Sequence, residues 1–368
     1  MVKKTIININ IVIIVLIFAI SSCQKNKIEK DLSSQLDYVK NITEFIQQGK
    51  YIRINLDKLK YKIIKPVSKI TNNNLISKKQ NKYFLSAPYS CIIKNDSLII
   101  VDSDLNCLFI ADKNGKIINK YGRKGNGPGE FIKPSFIVSN KNFIAVYNNT
   151  GIVLLDDKFK FITKLDAHFA PFGSCMSMNS YYLFTLSSNP QKLSDIDIYN
   201  LTGKNFGEYY GSINMPMIIE YGKQPIAINK IVIDVIDDYI FSAYSGLPFL
   251  FVFDQANKHL LTIEIVGKII DRQYSNVRIN KSLKSNKIIV SIISSLTSFR
   301  NRLIIQLPKR NILELELSLN DELKITPKIL YKLQYDREIV PSNIYFVENS
   351  VFACYNFDSQ VVKYQLNK

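Results

Sequence analysis

The stretch Leu108-Phe109-Ile110-Ala111-Asp112, with Lys116 four positions on, is one copy of a unit that recurs along the chain. The other copies are Val153-Leu154-Leu155-Asp156 with Lys160, Ile198-Tyr199-Asn200 with Lys204, and Phe251-Val252-Phe253-Asp254 with Lys258. Leu315-Glu316-Leu317-Ser318 is a weaker copy. In each, an apolar run ends on a side chain that starts a turn by bonding nearby backbone. Gly115 and Gly203 supply the left-handed residue that a bulged hairpin wants. From Asp112 the turn positions fall at intervals of 44, 44, 54 and 64 residues. Intervals of this size match four-stranded propeller blades, with added loop length in the later ones.

The surrounding texture agrees. From Tyr51 onward, short runs of Ile, Val, Phe and Tyr are broken about every 8–12 residues by Asn, Asp, Gly and Lys, which is an all-β pattern. After Ser318 the next turn position falls near Asn367, at the end of the chain. The last blade therefore has Ser342–Val347, Val351–Tyr355 and Gln360–Leu366 and lacks its outer strand. A strand from within Tyr51–Val67 is expected to fill the gap and close the ring, which removes two open sheet edges. Five units and this composite one give an all-β, six-bladed β-propeller of four-stranded antiparallel blades, with a seven-bladed ring as the runner-up. Upstream, Ile28, Leu32, Leu36, Val39, Ile42 and Ile46 recur at helical spacing, and Gly49 marks a stop. The predicted organisation is a leader at 1–22, a linker and short helix at 23–50, and the propeller at 51–368.

One short motif stands out: Gly122-Arg123-Lys124-Gly125-Asn126-Gly127-Pro128-Gly129-Glu130-Phe131, then Pro134. It is not a phosphate cradle, because it lacks a Gly-Lys-Ser/Thr ending and joins strand to strand, so no helix N-terminus faces a ligand. It suits an inter-blade crossover whose glycines permit positive φ. Strand, turn, Gly-x-x-Gly-x-Gly-Pro-Gly-Glu-Phe and Pro together resemble the NHL-type propeller repeat. More closely, they resemble the six-bladed β-propeller lipoproteins of Bacteroides and relatives. The likeness is motif-grade over Leu98–Pro134 and one of texture over about Tyr61–Lys368. It implies a single ring and a lipid anchor, and no particular reaction. Later joins such as Gly203–Gly211 and Gly267–Tyr274 lack the Gly-rich loop that NHL proteins repeat.

The first residues give an address. Lys3 and Lys4, the apolar run Ile11–Ile20 and then Ser21-Ser22 have the order of a secretory leader. The apolar run is shorter than the roughly 20 residues of a spanning helix. Ile20-Ser21-Ser22-Cys23 resembles the bacterial lipobox, which makes Cys23 the lipidation site and membrane lipid a partner; the alternative is a soluble secreted chain. Gln24, in place of Asp, points to the outer membrane of the bacterial envelope, and Gln24-Lys25-Asn26-Lys27, in place of an acidic run, to its periplasmic side. The formal charge of +17 invites a nucleic-acid reading. Once the leader is set aside, +9 of the remaining +15 lies in residues 23–82. That basic segment sits beside the proposed anchor, where each Lys or Arg near anionic lipid contributes up to about 1 kcal/mol. Nucleic acid is therefore not an expected partner.

No catalytic constellation is legible. His168 and His259 stand alone, without zinc-type spacing, and there is no Gly-x-Ser-x-Gly elbow. Cys91 and Cys107 fall on first and third strands of one blade, about 9.5 Å apart, too far for a disulfide. With Cys175 and Cys354 they are expected to be free buried thiols. The favoured function is a non-catalytic binding or scaffold module for an unknown protein, peptide or glycan, with no cofactor. The alternative is a Ca²⁺-type hydrolase or lyase acting at the central channel. The candidate binding residues are Arg123 and Asn126 of the Gly-rich loop, Asp195 and Asp197 of the segment Ser187–Asp197, and Tyr244 and Phe249 flanking Gly246-Leu247-Pro248. Tyr244 and Phe249 are expected to be exposed for stacking, and Ser291–Arg302 is read as a further insertion.

Overall fold

The computed structural model describes residues 45–46, 48–71, 84–112, 114–166, 176–187, 195–215, 231–271, 291–318 and 322–366. The leader, Cys23, most of the predicted helix, His168 and Cys175 lie outside them. Three strands precede the ring: β1 (Lys50–Asn55), β2 (Lys60–Ile64) and β3 (Pro66–Ile70). Blade 1 is β4 (Pro88–Lys94), β5 (Ser97–Asp102), β6 (Cys107–Ala111) and β7 (Ile117–Tyr121). Blade 2 is β8 (Phe136–Ser139), β9 (Phe143–Asn148), β10 (Gly151–Asp156) and β11 (Phe161–Leu165). Blade 3 is β12 (Met176–Met178), β13 (Tyr182–Leu186), β14 (Ile196–Asn200) and β15 (Tyr209–Ile213). Blade 4 is β16 (Ile231–Ile236), β17 (Tyr239–Tyr244), β18 (Phe249–Asp254) and β19 (His259–Val266). Blade 5 is β20 (Ser295–Phe299), β21 (Arg302–Leu307), β22 (Asn311–Ser318) and β23 (Lys324–Leu333). Blade 6 is β24 (Asn343–Val347), β25 (Ser350–Tyr355), β26 (Gln360–Gln365) and β3. The six-bladed expectation is met.

The repeat has a local cause. Asp112 Oδ1 accepts from the backbone N–H groups of Asn114 and Lys116, both at 2.9 Å. Asp156 does the same with Lys158 and Lys160, and Asp254 with Ala256 and Lys258. Three residues after each Asp stands a left-handed residue: Gly115, Phe159 and Asn257. The recurring Lys thus enters through its backbone N–H. Each turn joins the third and fourth strands of its blade. The Asn200 copy differs, closing over a longer span through Gly207 N–H to Asn200 O at 2.7 Å.

Closure corrects the expected register. The strand that completes blade 6 is β3, antiparallel to β26 with Val361 opposite Ile70, so only its first residues overlap the predicted Tyr51–Val67. The rest of that stretch forms β1 and β2, which run parallel along the outer edges of β19 and β23. Blades 4 and 5 are therefore five-stranded rather than four. Hydrogen-bonding an edge strand satisfies its free backbone groups and hides a site for unwanted pairing. Tyr51 and Arg53 on β1 both bond Glu264 of β19, and the Asp57 carboxylate accepts from Lys268 N–H.

The core lies between blades. Ile92, Leu108, Ile144 and Val153 join blades 1 and 2, while Cys91, Cys107, Phe109, Phe352 and Cys354 join blades 1 and 6. Cys91, Cys107 and Cys354 are free and buried, as expected, with Cys91 and Cys107 on first and third strands of blade 1. Burial pushes the Cys107 thiol up to about 12, so it packs as a small apolar group.

Polar side chains tie neighbouring blades all the way round the ring. Lys94 Nζ donates to Asn140 O at 2.7 Å, linking blades 1 and 2. Asn140 Nδ2 donates to Asn179 O at 2.7 Å, linking blades 2 and 3. Ser177 Oγ donates to Asp234 Oδ1 at 2.9 Å, joining blades 3 and 4, and the Ser245 and Ser291 hydroxyls meet at 2.6 Å, tying blade 4 to the segment that enters blade 5. Ser295 Oγ donates to Asn343 Oδ1 at 2.6 Å, and Asn343 Nδ2 donates to Ser90 Oγ at 3.0 Å, joining blades 5, 6 and 1.

Candidate functional site

The six inner strands enclose a channel of about 200 Å³, to which β4, β8, β12, β16, β20 and β24 all contribute. Its polar lining comprises Ser139, Ser177, Asp234, Thr297, Ser298, Asn343 and Tyr345. Asp234 is the one carboxylate in that lining. It sits in Ile231-Val232-Ile233-Asp234-Val235-Ile236, a strand that is otherwise apolar. A charge interrupting an unbroken apolar run is the sequence signal that could have singled it out.

Asp234 Oδ1 accepts from Ser177 Oγ, whereas Oδ2 is buried with no hydrogen-bond partner. Burial pushes the carboxyl up, opposed by the Ser298 and Ser177 hydroxyls and the Val235 amide. Its folded pKa lies above the ordinary 3.8, so the folded state holds the proton more tightly. The resulting stabilisation is complete below the unfolded pKa and is lost as pH rises through the folded one. Asp234→Asn is therefore expected to hold or raise stability at neutral pH and to flatten the decline from acid to neutral. Urea titrations at both pH values measure this. A clear loss of stability at neutral pH would make Asp234 a structural staple instead.

A Ca²⁺ ion takes six to eight oxygen ligands, usually with several carboxylates. Among the described residues no group of three His, Cys, Asp or Glu converges, and a single carboxylate among neutral hydroxyl and amide groups does not fit such an ion.

The topology places all six candidate binding residues on one face of the ring. Inter-blade crossovers and second-to-third-strand loops share a face, because strands alternate in direction. Arg123 and Asn126 lie on the crossover from β7 to β8, Asp195 and Asp197 at the start of β14, and Tyr244 and Phe249 at the β17–β18 turn. They come from three places on the ring; Asp195 of blade 3 lies near Tyr244 of blade 4, but the structure does not gather all six into one cluster. Arg123 and Asn126 are exposed, with Arg123 Nε on Glu130 Oε1 at 2.8 Å. Gly127 N–H donates to the other Glu130 oxygen at 2.9 Å. This pairing and the helix-free crossover agree with the structural reading of the loop.

Three expectations are corrected. Tyr244 is fully buried rather than exposed, because the turn is pinned by Leu247 N–H to Tyr244 O at 3.0 Å and Ile265 N–H to Pro248 O at 2.8 Å. Burial, with a contribution from Asp195, raises its phenol well above the ordinary value. Phe249 is half-buried against Phe251. Asp197 belongs to β14, opposite Thr185, and both it and Asp195 are buried. Ser291–Arg302 is no insertion, since it contains the inner strand β20. His259 packs between Phe251 and Phe253 and bonds Thr262 at 3.0 Å, a structural placement.

Among the described residues, no helix is long and apolar enough to cross a membrane. No curated protein matches the chain in sequence. In structure it is similar to a protein of Bacteroides fragilis described as exported, at 15% identity and a TM-score of 0.52, over 86% of this chain and 100% of that one. It is also similar to streptogramin B lyase, at 14% identity and a TM-score of 0.46, over 77% and 94% of the two chains. A third likeness is to BamB from Moraxella catarrhalis, at 11% identity and a TM-score of 0.45, over 83% and 100%. All three are likenesses of fold. The chain is an all-β, six-bladed propeller whose residues 78–241 match DUF5128, a family described as a 6-bladed beta-propeller.

Proposed function

We propose that this chain is a lipid-anchored binding or scaffold propeller of the bacterial envelope, of the Bacteroides-type lipoprotein group, held through Cys23 at the outer membrane and facing the periplasm. Its ligand enters the central channel from the face that carries the crossovers. The observation behind this reading is the channel lining, in which hydroxyls from several blades surround one buried carboxylate. Enclosed concavities with a few convergent polar groups are the usual form of a ligand site. The basic segment 23–82 supports anchoring, because positive charge beside anionic lipid adds to the hold of a lipid anchor.

The test is affinity capture from the native envelope with the full lipidated chain and two variants. The intact chain is expected in the membrane fraction with a co-purifying ligand, and Cys23→Ser is expected to leave that fraction. Ser139→Tyr, which narrows the channel, is expected to lose the ligand while keeping the membrane position. Capture that survives Ser139→Tyr refutes the channel as the binding site.

A further inference from the structure

We propose that the channel seats the ammonium head of a small organic cation, with Asp234 as its counter-ion. The inference rests on the channel being the binding site. Asp234 lines the channel, its Oδ2 is buried without a hydrogen-bond partner, and the one side chain bonded to its carboxylate among the described residues is the neutral Ser177 hydroxyl. Among the described residues no Lys, Arg or His pairs with it. A buried anion without a counter-charge is costly, and a cation brought by a ligand removes that cost.

The geometry also selects the kind of cation. Oδ1 already accepts from Ser177, while Oδ2 has no partner. A guanidinium prefers both oxygens of a carboxylate in a planar fork, whereas an ammonium is a compact charge with three donors. One unpaired carboxylate oxygen, with the Ser177 and Ser298 hydroxyls in the same lining, suits the second. The lone carboxylate fits a single positive charge better than a divalent ion, which would need a fuller oxygen set. Apolar wall from Phe136, Val138 and Met178 is available to a short hydrocarbon tail.

Calorimetric titration of the full chain with n-butylammonium tests this, with 1-butanol and calcium chloride as the other arms. Expected are saturable binding of n-butylammonium, none of 1-butanol, and a loss of about tenfold or more in affinity for Asp234→Asn. Thermal melts confirm that the variant is folded. The proposal is overturned if n-butylammonium does not saturate, if 1-butanol binds equally, if Asp234→Asn leaves the affinity unchanged, or if Ca²⁺ takes the site in an Asp234-dependent way. Envelope capture separates the two levels of failure. A ligand lost from Ser139→Tyr but retained by Asp234→Asn leaves the channel standing and removes the ammonium assignment. A ligand retained by Ser139→Tyr removes both.

Discussion

Deleting Lys50–Ile70 is expected to abolish cooperative folding of the ring. The segment supplies the fourth strand of blade 6 and the edge strands of blades 4 and 5, and it buries Ile54, Leu56, Ile64 and Ile70. At about 1.5–3 kcal/mol for each buried aliphatic side chain, these four represent roughly 6–12 kcal/mol. That is comparable with the whole stability of a typical domain, about 5–15 kcal/mol. The loss is compounded at the joint, because Ile70 packs beneath Gly115, where even an added Cβ would lie 2.8 Å from Ile70 Cγ1. The closing strand of blade 6 thus also supports the outer turn of blade 1. Circular dichroism and urea titration of the deleted chain provide the measurement. A cooperative transition at the midpoint of the intact chain would show that the ring closes without this segment. Ile70→Ala is the graded version, expected to cost about 2–5 kcal/mol.

The second large effect is expected from Phe131→Ala, at about 3–5 kcal/mol. Phe131 is fully buried between blades 1 and 2 and meets Tyr121 edge-on, with ring centroids 6.2 Å apart. It anchors the Gly-rich crossover through its own N–H to Arg123 O at 2.8 Å and its carbonyl to Gly125 N–H at 3.1 Å. Gly122 belongs to the same contact. Its φ is +83°, and an added Cβ would fall 2.3 Å from the Phe131 ring. Gly122→Ala should therefore destabilise as well, through both backbone strain and overlap. In urea titrations both variants are expected to lower the midpoint without changing the slope. Arg123→Ala and Asn126→Ala alter exposed side chains and should stay within about 0.5 kcal/mol, so they can probe binding at this face without disturbing the fold. A Phe131→Ala midpoint equal to that of the unmodified chain would refute the anchoring role.

How far the sequence could be read depended on the span of each interaction. The Asp112, Asp156 and Asp254 turns are made by hydrogen bonds reaching two and four residues along the chain, so their spacing reveals the blades directly. Phe131 and its glycines were visible for the same reason, as one contiguous loop. The burial of Tyr244 is not legible locally, because its neighbours Gly246 and Pro248 have the composition of an exposed turn. Whether a turn is exposed depends on what packs over it, here Ile265 N–H and the Asp195 side of blade 3.

The chain's own order of residues determined the all-β class and favoured six blades over seven with a composite last blade, since each follows from local turn chemistry and from counting. Only the tertiary structure decided that β1 and β2 cover the edges of blades 4 and 5, and that a belt of polar side chains links every pair of neighbouring blades. The candidate site belongs to this second group. Ser177 and Asp234 are 57 positions apart and Asn343 and Ser90 are 253 apart, and only the packing of blade on blade brings each pair together. A carboxylate buried at that axis has its ionisation set by desolvation and by partners from other blades, neither of which is written in the residues beside it.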